Sequence, residues 1–235
     1  MIQKNIFQAW IGEIEPPEKI KIFMEGVKAQ NPGWQYVLIG NKDLDYFYKK
    51  LPDNAKKIYD HHLEKKEWGL VLDPIRFLVP YLYGGIFMDT DIKMSVGRSF
   101  NELPLEKNLI FANSFLNMFR PHTCWIASSQ GNKFIKHLFD HMGKQSYEIP
   151  RRDVYNSSYL TTEYILRYEP ERRERMVSAI WSIPIEAVKF FEDEEVLHPN
   201  IIINPGNKHI GLCSHWPMSS HTVNKHKYIK NETRN

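Results

Sequence analysis

Two aspartates that follow a short apolar stretch are the residues whose types and spacing best suit chemistry. Asp89 and Asp91 lie one residue apart, directly after Ile86–Met88. On a strand, residues i and i+2 point to the same side, so the two carboxylates would repel each other unless a cation or hydrogen-bond donors compensate. Carboxylate oxygens suit a hard divalent ion, which also binds diphosphates. The alternative is that both are ordinary turn residues at a strand end.

A second charged pair precedes the aspartates. Asp73-Pro74 has the form of a helix start, because Asp can cap free amide groups and proline is tolerated at the first helical position. The predicted helix runs to about Tyr83, and Pro80 inside it should kink or shorten it. Arg76 could make charge-assisted hydrogen bonds to an anionic ligand. Alternatively, it forms an ion pair with Asp73 one helical turn away.

The segment from Leu72 to Met94 resembles the glycosyltransferases with a DXD-containing sugar-binding region. That family includes yeast-type α-mannosyltransferases, bacterial capsular and lipooligosaccharide transferases, and the clostridial glucosylating toxins. Its shared run is close to S-D-x-x-R, an apolar and aromatic stretch, then G-G-x-Y-x-D-x-D. Without a gap, this chain matches at Asp73, Arg76, Tyr83-Gly84-Gly85, Phe87, Asp89 and Asp91. It departs from the run at Leu72, which replaces the serine, and at Pro74 and Pro80.

The resemblance extends to both ends of the chain. Relatives begin with a strand that ends in W-I-G before prolines, and this chain has Trp10-Ile11-Gly12 and then Pro16-Pro17. In the toxins the matching tryptophan stacks on uracil, so the resemblance implies that Trp10 is a base platform; the alternative is a core tryptophan. Ser214–Ser220 partly matches a C-terminal H-H-W-x-x-S-W segment, without its first histidine and last tryptophan.

The resemblance also implies a fold, a site and a reaction. The fold is α/β of the GT-A type, with a single Rossmann-like mixed sheet flanked by helices. The cofactor is Mn²⁺ (or Mg²⁺), with Asp89, Asp91 and His215 as metal ligands; a surface histidine is the alternative for His215. Asp73, Arg76 and Asp91 are the implied catalytic residues. The implied donor-binding residues are Ala9, Trp10, Asp73, Arg76, Gly85, Asp89, Asp91, Trp216 and Ser219.

The implied activity is that of a retaining glycosyltransferase in polysaccharide biosynthesis. It would transfer a sugar from a nucleotide diphosphate sugar, a UDP-sugar by preference, to a saccharide or glycoconjugate acceptor. Two alternatives remain open on the residues alone. One is a nucleotide-sugar hydrolase or phosphotransferase that uses the same donor site. The other is a non-catalytic binding protein with a vestigial fold.

The elements that must position these residues begin with a strand–helix–strand unit. Ile2–Ile11 and Trp34–Ile39 are predicted strands, and Glu18–Gln30 between them is a predicted amphipathic helix. Such a unit predicts a parallel sheet covered by helices. Two helices should follow, at Asn41–Leu51 and Asp53–Lys66. Further strands are predicted at Asn108–Ala112, Val196–Ile203 and His209–His215, and further helices at Asn132–His141 and Tyr159–Tyr168.

Composition limits the remaining possibilities. We expect one domain over residues 1–235, with residues 221–235 a basic tail that could contact a membrane surface. A net charge of +3 is too small to favour nucleic-acid binding. Cys124 and Cys213 form no metal or disulfide pattern, and no signal peptide or membrane span is visible. The sequence therefore predicts a soluble cytoplasmic protein.

Overall fold

The fold was analysed in a computed structural model of the chain. It describes residues 1–94, 96–103, 105–106, 109–114, 117–133 and 135–136, together with the short strands 194–196, 202–203, 209–210 and 213–215. The predicted helix Tyr159–Tyr168 and the basic tail lie outside the described residues, as does most of the predicted helix Asn132–His141.

The chain opens with the predicted strand–helix–strand unit. Strand β1 (Asn5–Ala9) and strand β2 (Gln35–Ile39) are parallel neighbours, and helix α1 (Glu18–Gln30) connects them. The buried positions of α1 recur at helical spacing, because one face packs on the sheet while the other meets solvent: Ile20, Phe23, Met24 and Val27.

Three helices then lead to the centre of the sheet. A 3-10 turn at Asn41–Asp43 precedes helix α2 (Leu44–Lys50), and helix α3 (Asp53–Glu64) follows. Helix α4 (Trp68–Tyr83) packs against α3 and ends at Gly84, whose positive φ of 64° allows the sharp exit into strand β3 (Gly85–Met88).

The predicted start of α4 at Asp73 is wrong. The helix begins at Trp68, so Asp73 lies in its interior and does not cap it. Val71, Leu72 and Ile75 all belong to the main core cluster, and their burial accounts for a helix that continues through two prolines. Packing energy therefore outweighs the local signal of Asp73-Pro74.

Three further strands of the described part of the chain join the central sheet: β5 (Leu109–Ser114), β6 (Asn117–Ser128) and β7 (Glu194–Val196). Its six strands lie in the order β2-β1-β3-β6-β5-β7. Strand β3 pairs parallel with β1 and antiparallel with the long strand β6 (Asn117–Ser128). Strand β5 (Leu109–Ser114) pairs antiparallel with β6 and parallel with β7 (Glu194–Val196). Strands of both directions share one main sheet between helices, which confirms the predicted mixed α/β architecture.

Side chains alternate between two cores on the faces of this sheet. Phe7, Ala9 and Phe87 join the cluster formed with α2, α3 and α4, whereas Ile6 and Ile86 join the cluster on the other face. This alternation is the period of two expected for strands. Because β1 and β3 are packed on both faces, the positions at which these two strands end are also fixed.

Four short strands of the described part of the chain lie outside the main sheet, and they form two small antiparallel pairs. Strand β4 (Ile92–Met94) pairs antiparallel with β10 (Cys213–His215), and β8 (Ile202–Ile203) pairs with β9 (His209–Ile210). Within the predicted strands at Val196–Ile203 and His209–His215, the described strand residues are Val196 of β7, then β8, β9 and β10. None of the helices described here is both long enough and apolar enough to cross a membrane.

Candidate functional site

The candidate site lies at the carboxyl edge of the parallel strands. Trp10 follows β1 and Asp89 follows β3, and these strands are parallel neighbours with Phe7 opposite Phe87. Both residues therefore leave the sheet at the same edge. In open α/β sheets, ligands bind at this edge.

The two aspartates of the motif occupy a turn between β3 and β4. The backbone amide of Ile92 donates to the carbonyl of Asp89 over 3.4 Å, which closes the turn. Asp91 is only 3% exposed, whereas the side chain of Asp89 is 22% exposed. The backbone of the motif is therefore a turn that follows β3, not a further part of the strand. The burial of Asp91 nevertheless separates it from an ordinary surface turn residue.

Arg76 on α4 joins the helix to this turn. Its Nε lies 3.3 Å from Oδ1 of Asp73, and its Nη2 lies 3.5 Å from Oδ1 of Asp89. Nη2 also donates to the carbonyl of Gly69 over 3.4 Å. The ion pair with Asp73 is the alternative that the helical spacing predicted, and the contact with Asp89 adds a bond to the motif itself.

The charges of this group favour a cation. Asp73 and Asp89 each place a carboxylate against the guanidinium of Arg76, and the buried carboxylate of Asp91 follows two residues after Asp89. Burying an excess of carboxylates is costly unless positive charge compensates. Hard oxygen donors fit Mn²⁺ or Mg²⁺. The described side chains contain no group of three or more histidine, cysteine or acidic residues placed to hold a metal ion together.

The C-terminal part of the chain returns to this turn. Strand β10 pairs with β4 so that the backbone of His215 lies opposite Ile92, the residue after Asp91. This brings the main chain of His215 next to the motif across more than a hundred residues of sequence. Trp216 and Ser219, the other implied donor contacts of this segment, lie outside the described residues.

Trp10 is anchored at the same edge. Its backbone amide donates to the carbonyl of Ile39 over 2.9 Å, and its indole Nε1 donates to the carbonyl of Ile14 over 2.7 Å. The ring is half-buried against the apolar face of α1, at Ile20, Phe23 and Met24. Trp10 therefore packs on the core without being enclosed by it. Ala9, the last residue of β1, is buried.

Gly85 does not join the group. It begins β3, so it lies four residues and roughly 13 Å of extended strand from Asp89, at the opposite edge of the sheet. A Cβ added to Gly85 would lie 2.5 Å from the carbonyl oxygen of Asn5. The close approach of β1 thus explains this glycine. Its position at the opposite edge of the sheet separates it from the Asp89–Asp91 turn.

Gln8 is a polar residue at the site that sequence reasoning missed. It is completely buried on β1, its Nε2 donates to the carbonyl of Asp89 over 3.2 Å, and its Oε1 accepts from the hydroxyl of Tyr36 over 2.8 Å. Burial, and to a smaller extent the charge of Glu25, raises the pKa of Tyr36, so this hydroxyl remains a donor. The signal was an amide side chain among the buried apolar residues Ile6, Phe7 and Ala9.

Comparisons with known proteins agree with this geometry. Residues 17–110 match the family described as glycosyltransferase sugar-binding region containing DXD motif. Among solved structures, the PaToxG glycosyltransferase superposes with a TM-score of 0.62 at 16% identity, over 88% of this chain and 82% of that one. At this identity the likeness establishes the fold. The comparison with curated protein sequences gives no match.

Two further structures are similar at lower scores. The UDP-bound glycosyltransferase domain of the YGT toxin has 11% identity over 81% of this chain and 66% of its own, with a TM-score of 0.45. A glycosyltransferase involved in glycosylation of the major capsid of PBCV-1 has 9% identity over 96% and 98%, also with a TM-score of 0.45. The family match covers Asp73, Arg76 and the Asp89–Asp91 turn. Residues 17–110 are therefore similar to the sugar-binding region of DXD-containing glycosyltransferases, and the fold is that of the PaToxG glycosyltransferase.

Proposed function

We propose that this chain is a retaining glycosyltransferase that takes its sugar from a nucleoside diphosphate sugar, with uridine as the base. The observation that carries the proposal is the placement of the Asp89–Asp91 turn at the carboxyl edge of β1 and β3, beside the Asp73–Arg76 pair of α4. One edge thus combines ligands for a metal–diphosphate unit with groups suited to a sugar and a base.

Each residue has a role that follows from its position. Asp89 and Asp91 hold Mn²⁺ or Mg²⁺, which supplies positive charge to the diphosphate of the leaving nucleotide. Arg76, which Asp73 and Asp89 hold in place, makes a charge-assisted contact with the donor. Asp73 binds hydroxyl groups of the sugar and the ribose. Trp10 stacks on the base, an arrangement supported by its half-buried ring at the same edge.

The acceptor is a saccharide or glycoconjugate, which suits a role in polysaccharide biosynthesis. Retention of configuration follows from the motif resemblance, and the reaction gives an α-linked product from an α-linked donor. His215 becomes a third metal ligand because its backbone lies beside the motif turn. The basic residues of 221–235 contact an anionic membrane surface, and the protein works in the cytoplasm.

The test combines binding with product analysis. In a panel of nucleotide sugars with Mn²⁺, a UDP-sugar should raise the melting temperature most, because ligands that bind only the folded state stabilise it. Incubation of that donor with candidate saccharides should then yield a glycosylated product. Release of sugar to water alone, whatever acceptor is offered, would indicate a hydrolase. Melting temperatures that no nucleotide sugar changes would contradict the donor site itself.

A further inference from the structure

We infer that Gln8 is a positioning residue that sets the direction of the Asp89 side chain by holding the Asp89 carbonyl. This inference rests on the proposed function, because it assigns to Gln8 an effect on the metal–diphosphate site. The unusual feature is a fully buried amide on β1, the strand that lies between β2 and β3 in the sheet.

The hydrogen bonds of Gln8 have one possible orientation. The carbonyl of Asp89 can only accept, so the amide nitrogen of Gln8 must point towards it, at 3.2 Å. The amide oxygen then points to Tyr36, whose hydroxyl must donate, at 2.8 Å. A relay of two hydrogen bonds therefore runs from β2 across β1 to the residue after β3.

This relay acts at the point where the motif turn begins. The carbonyl of Asp89 accepts both from Gln8 and from the backbone amide of Ile92, which closes the turn at 3.4 Å. Holding that carbonyl fixes the peptide plane between Asp89 and Thr90, and with it the direction in which the carboxylate of Asp89 leaves the backbone. Without Gln8, the carbonyl of Asp89 would lose the shorter of these two bonds, and the placement of the two carboxylates relative to each other would loosen.

The same strand offers a matched control at its other end. Asn5 Nδ2 donates to the carbonyls of Tyr83 and Gly84, each over 3.2 Å, so it also joins β1 to the backbone that flanks β3. It lies three residues before Gln8, which is roughly 10 Å along an extended strand. Asn5→Leu and Gln8→Met each replace an amide by an apolar side chain of similar size. The two variants differ in which edge of the sheet they loosen.

The first measurement needs neither metal nor donor. Hydrogen exchange of the full chain should be faster at Thr90–Ile92 in Gln8→Met than in the wild type, and unchanged there in Asn5→Leu. Tyr36→Phe retains the amide and removes only its orienting donor, so it should give a smaller increase at the same amides. If Gln8→Met does not fold, Tyr36→Phe supplies the same test. Wild-type exchange at Thr90–Ile92 in every folded variant of Gln8 and Tyr36 would overturn the inference.

The second measurement tests whether the hydrogen bonds of Gln8 affect the proposed metal–diphosphate site. The Mn²⁺ concentration for half-maximal binding of a uridine diphosphate should rise about tenfold in Gln8→Met, the scale of one hydrogen bond lost near a charged group. Asn5→Leu should match the wild type. An equal rise in both variants would indicate general loosening and overturn the inference. If the wild type itself binds no nucleotide, the proposed function fails, while the exchange experiment still decides whether Gln8 positions the turn.

Discussion

Arg76 and Asp89 join helix α4 to the turn after β3 through one contact, 3.5 Å between Nη2 and Oδ1. The same guanidinium lies 3.3 Å from Asp73, and both Arg76 and Asp73 have side chains that are about a tenth exposed or less. Removing the Arg76 guanidinium therefore takes away the positive charge that the carboxylates of Asp73 and Asp89 share. This relationship leads to the first prediction.

Arg76→Ala should lower the free energy of unfolding by about 3 kcal/mol, since breaking a buried ion pair leaves charge uncompensated. Urea denaturation would measure this loss. Added Mn²⁺ should raise the melting temperature more in the variant than in the wild type, because the cation replaces the missing charge. The control is Arg98→Ala, whose partner Glu102 is 36% exposed and whose loss should cost about 1 kcal/mol or less. Equal losses in the two variants would contradict this account.

Metal dependence is the second prediction. EDTA should abolish sugar transfer or donor hydrolysis, and Mn²⁺ should restore it better than Ca²⁺, because a diphosphate site requires a compact, near-octahedral ion. Asp91→Asn should cost about 2–3 kcal/mol of transition-state stabilisation in kcat/KM. Asp45→Asn on α2, whose carboxylate is exposed and paired with Lys49, should have wild-type rates. Full activity in EDTA would remove the metal from the mechanism.

The opening of the fold could be predicted closely because its signals are local. The apolar spacing of α1 and the breaks around it gave its two ends, Glu18 and Gln30, as the structure has them. The start of α4 could not be found in the same way. The Asp73-Pro74 signal is local, whereas the burial of Val71 and Leu72 depends on neighbours far along the chain.

The residues of the candidate site show the same difference between local sequence signals and contacts between distant residues. Asp73, Arg76, Asp89 and Asp91 lie within one continuous stretch, and the structure gathers them at one edge. Gln8 joins the group only through the pairing of β1 with β3, which single-residue patterns do not reveal. Gly85 is the opposite case. It belongs to the sequence motif but lies at the far edge of the sheet, where the absence of a side chain allows β1 to pack closely.

Trp10 carries the third prediction. Trp10→Ala should weaken binding of the nucleotide by about 1–3 kcal/mol, the range for one aromatic–base stack. Calorimetric titration with a uridine diphosphate would measure this change, and Trp10→Phe, which keeps a ring, should retain most of the affinity. Because the indole also packs on Phe23 and Met24, some stability will be lost. A folded Trp10→Ala protein that binds nucleotide as tightly as the wild type would make Trp10 a core residue only.

His62 makes stability depend on pH, which is the fourth prediction. Burial lowers the pKa of His62 below its usual value, although the hydrogen bond that its Nδ1 donates to the carboxylate of Glu67 at 2.7 Å opposes that shift. The unfolded chain therefore takes up this proton more readily than the folded one. Stability from this group is complete above a pH of about 6.5, the ordinary histidine pKa, and is lost as the pH falls through the lower folded pKa.

Urea denaturation at pH 7.5 and 5.5 would measure the effect, and His62→Gln should reduce the difference between the two values. His61→Gln is the neighbouring control, since His61 is only half-buried. A wild-type protein that becomes more stable at the lower pH, with the gain abolished in His62→Gln, would reverse the sign argued here.

The final prediction concerns His215 and the pairing of β10 with β4. The backbone of His215 lies opposite Ile92, next to the Asp89–Asp91 turn. If His215 is the third ligand of an ion held by Asp89 and Asp91, His215→Ala should weaken Mn²⁺ binding. The expected loss is about tenfold in the dissociation constant, the scale of about 1.4 kcal/mol. His61→Ala should leave the dissociation constant for Mn²⁺ unchanged.

Truncation before Ser214 removes most of β10 and should leave a folded domain that binds the metal at least as poorly as His215→Ala. Truncation before Lys225 should match the full chain. Wild-type Mn²⁺ affinity in both His215→Ala and the Ser214 truncation would confine the metal site to the two aspartates and leave β10 as a structural strand.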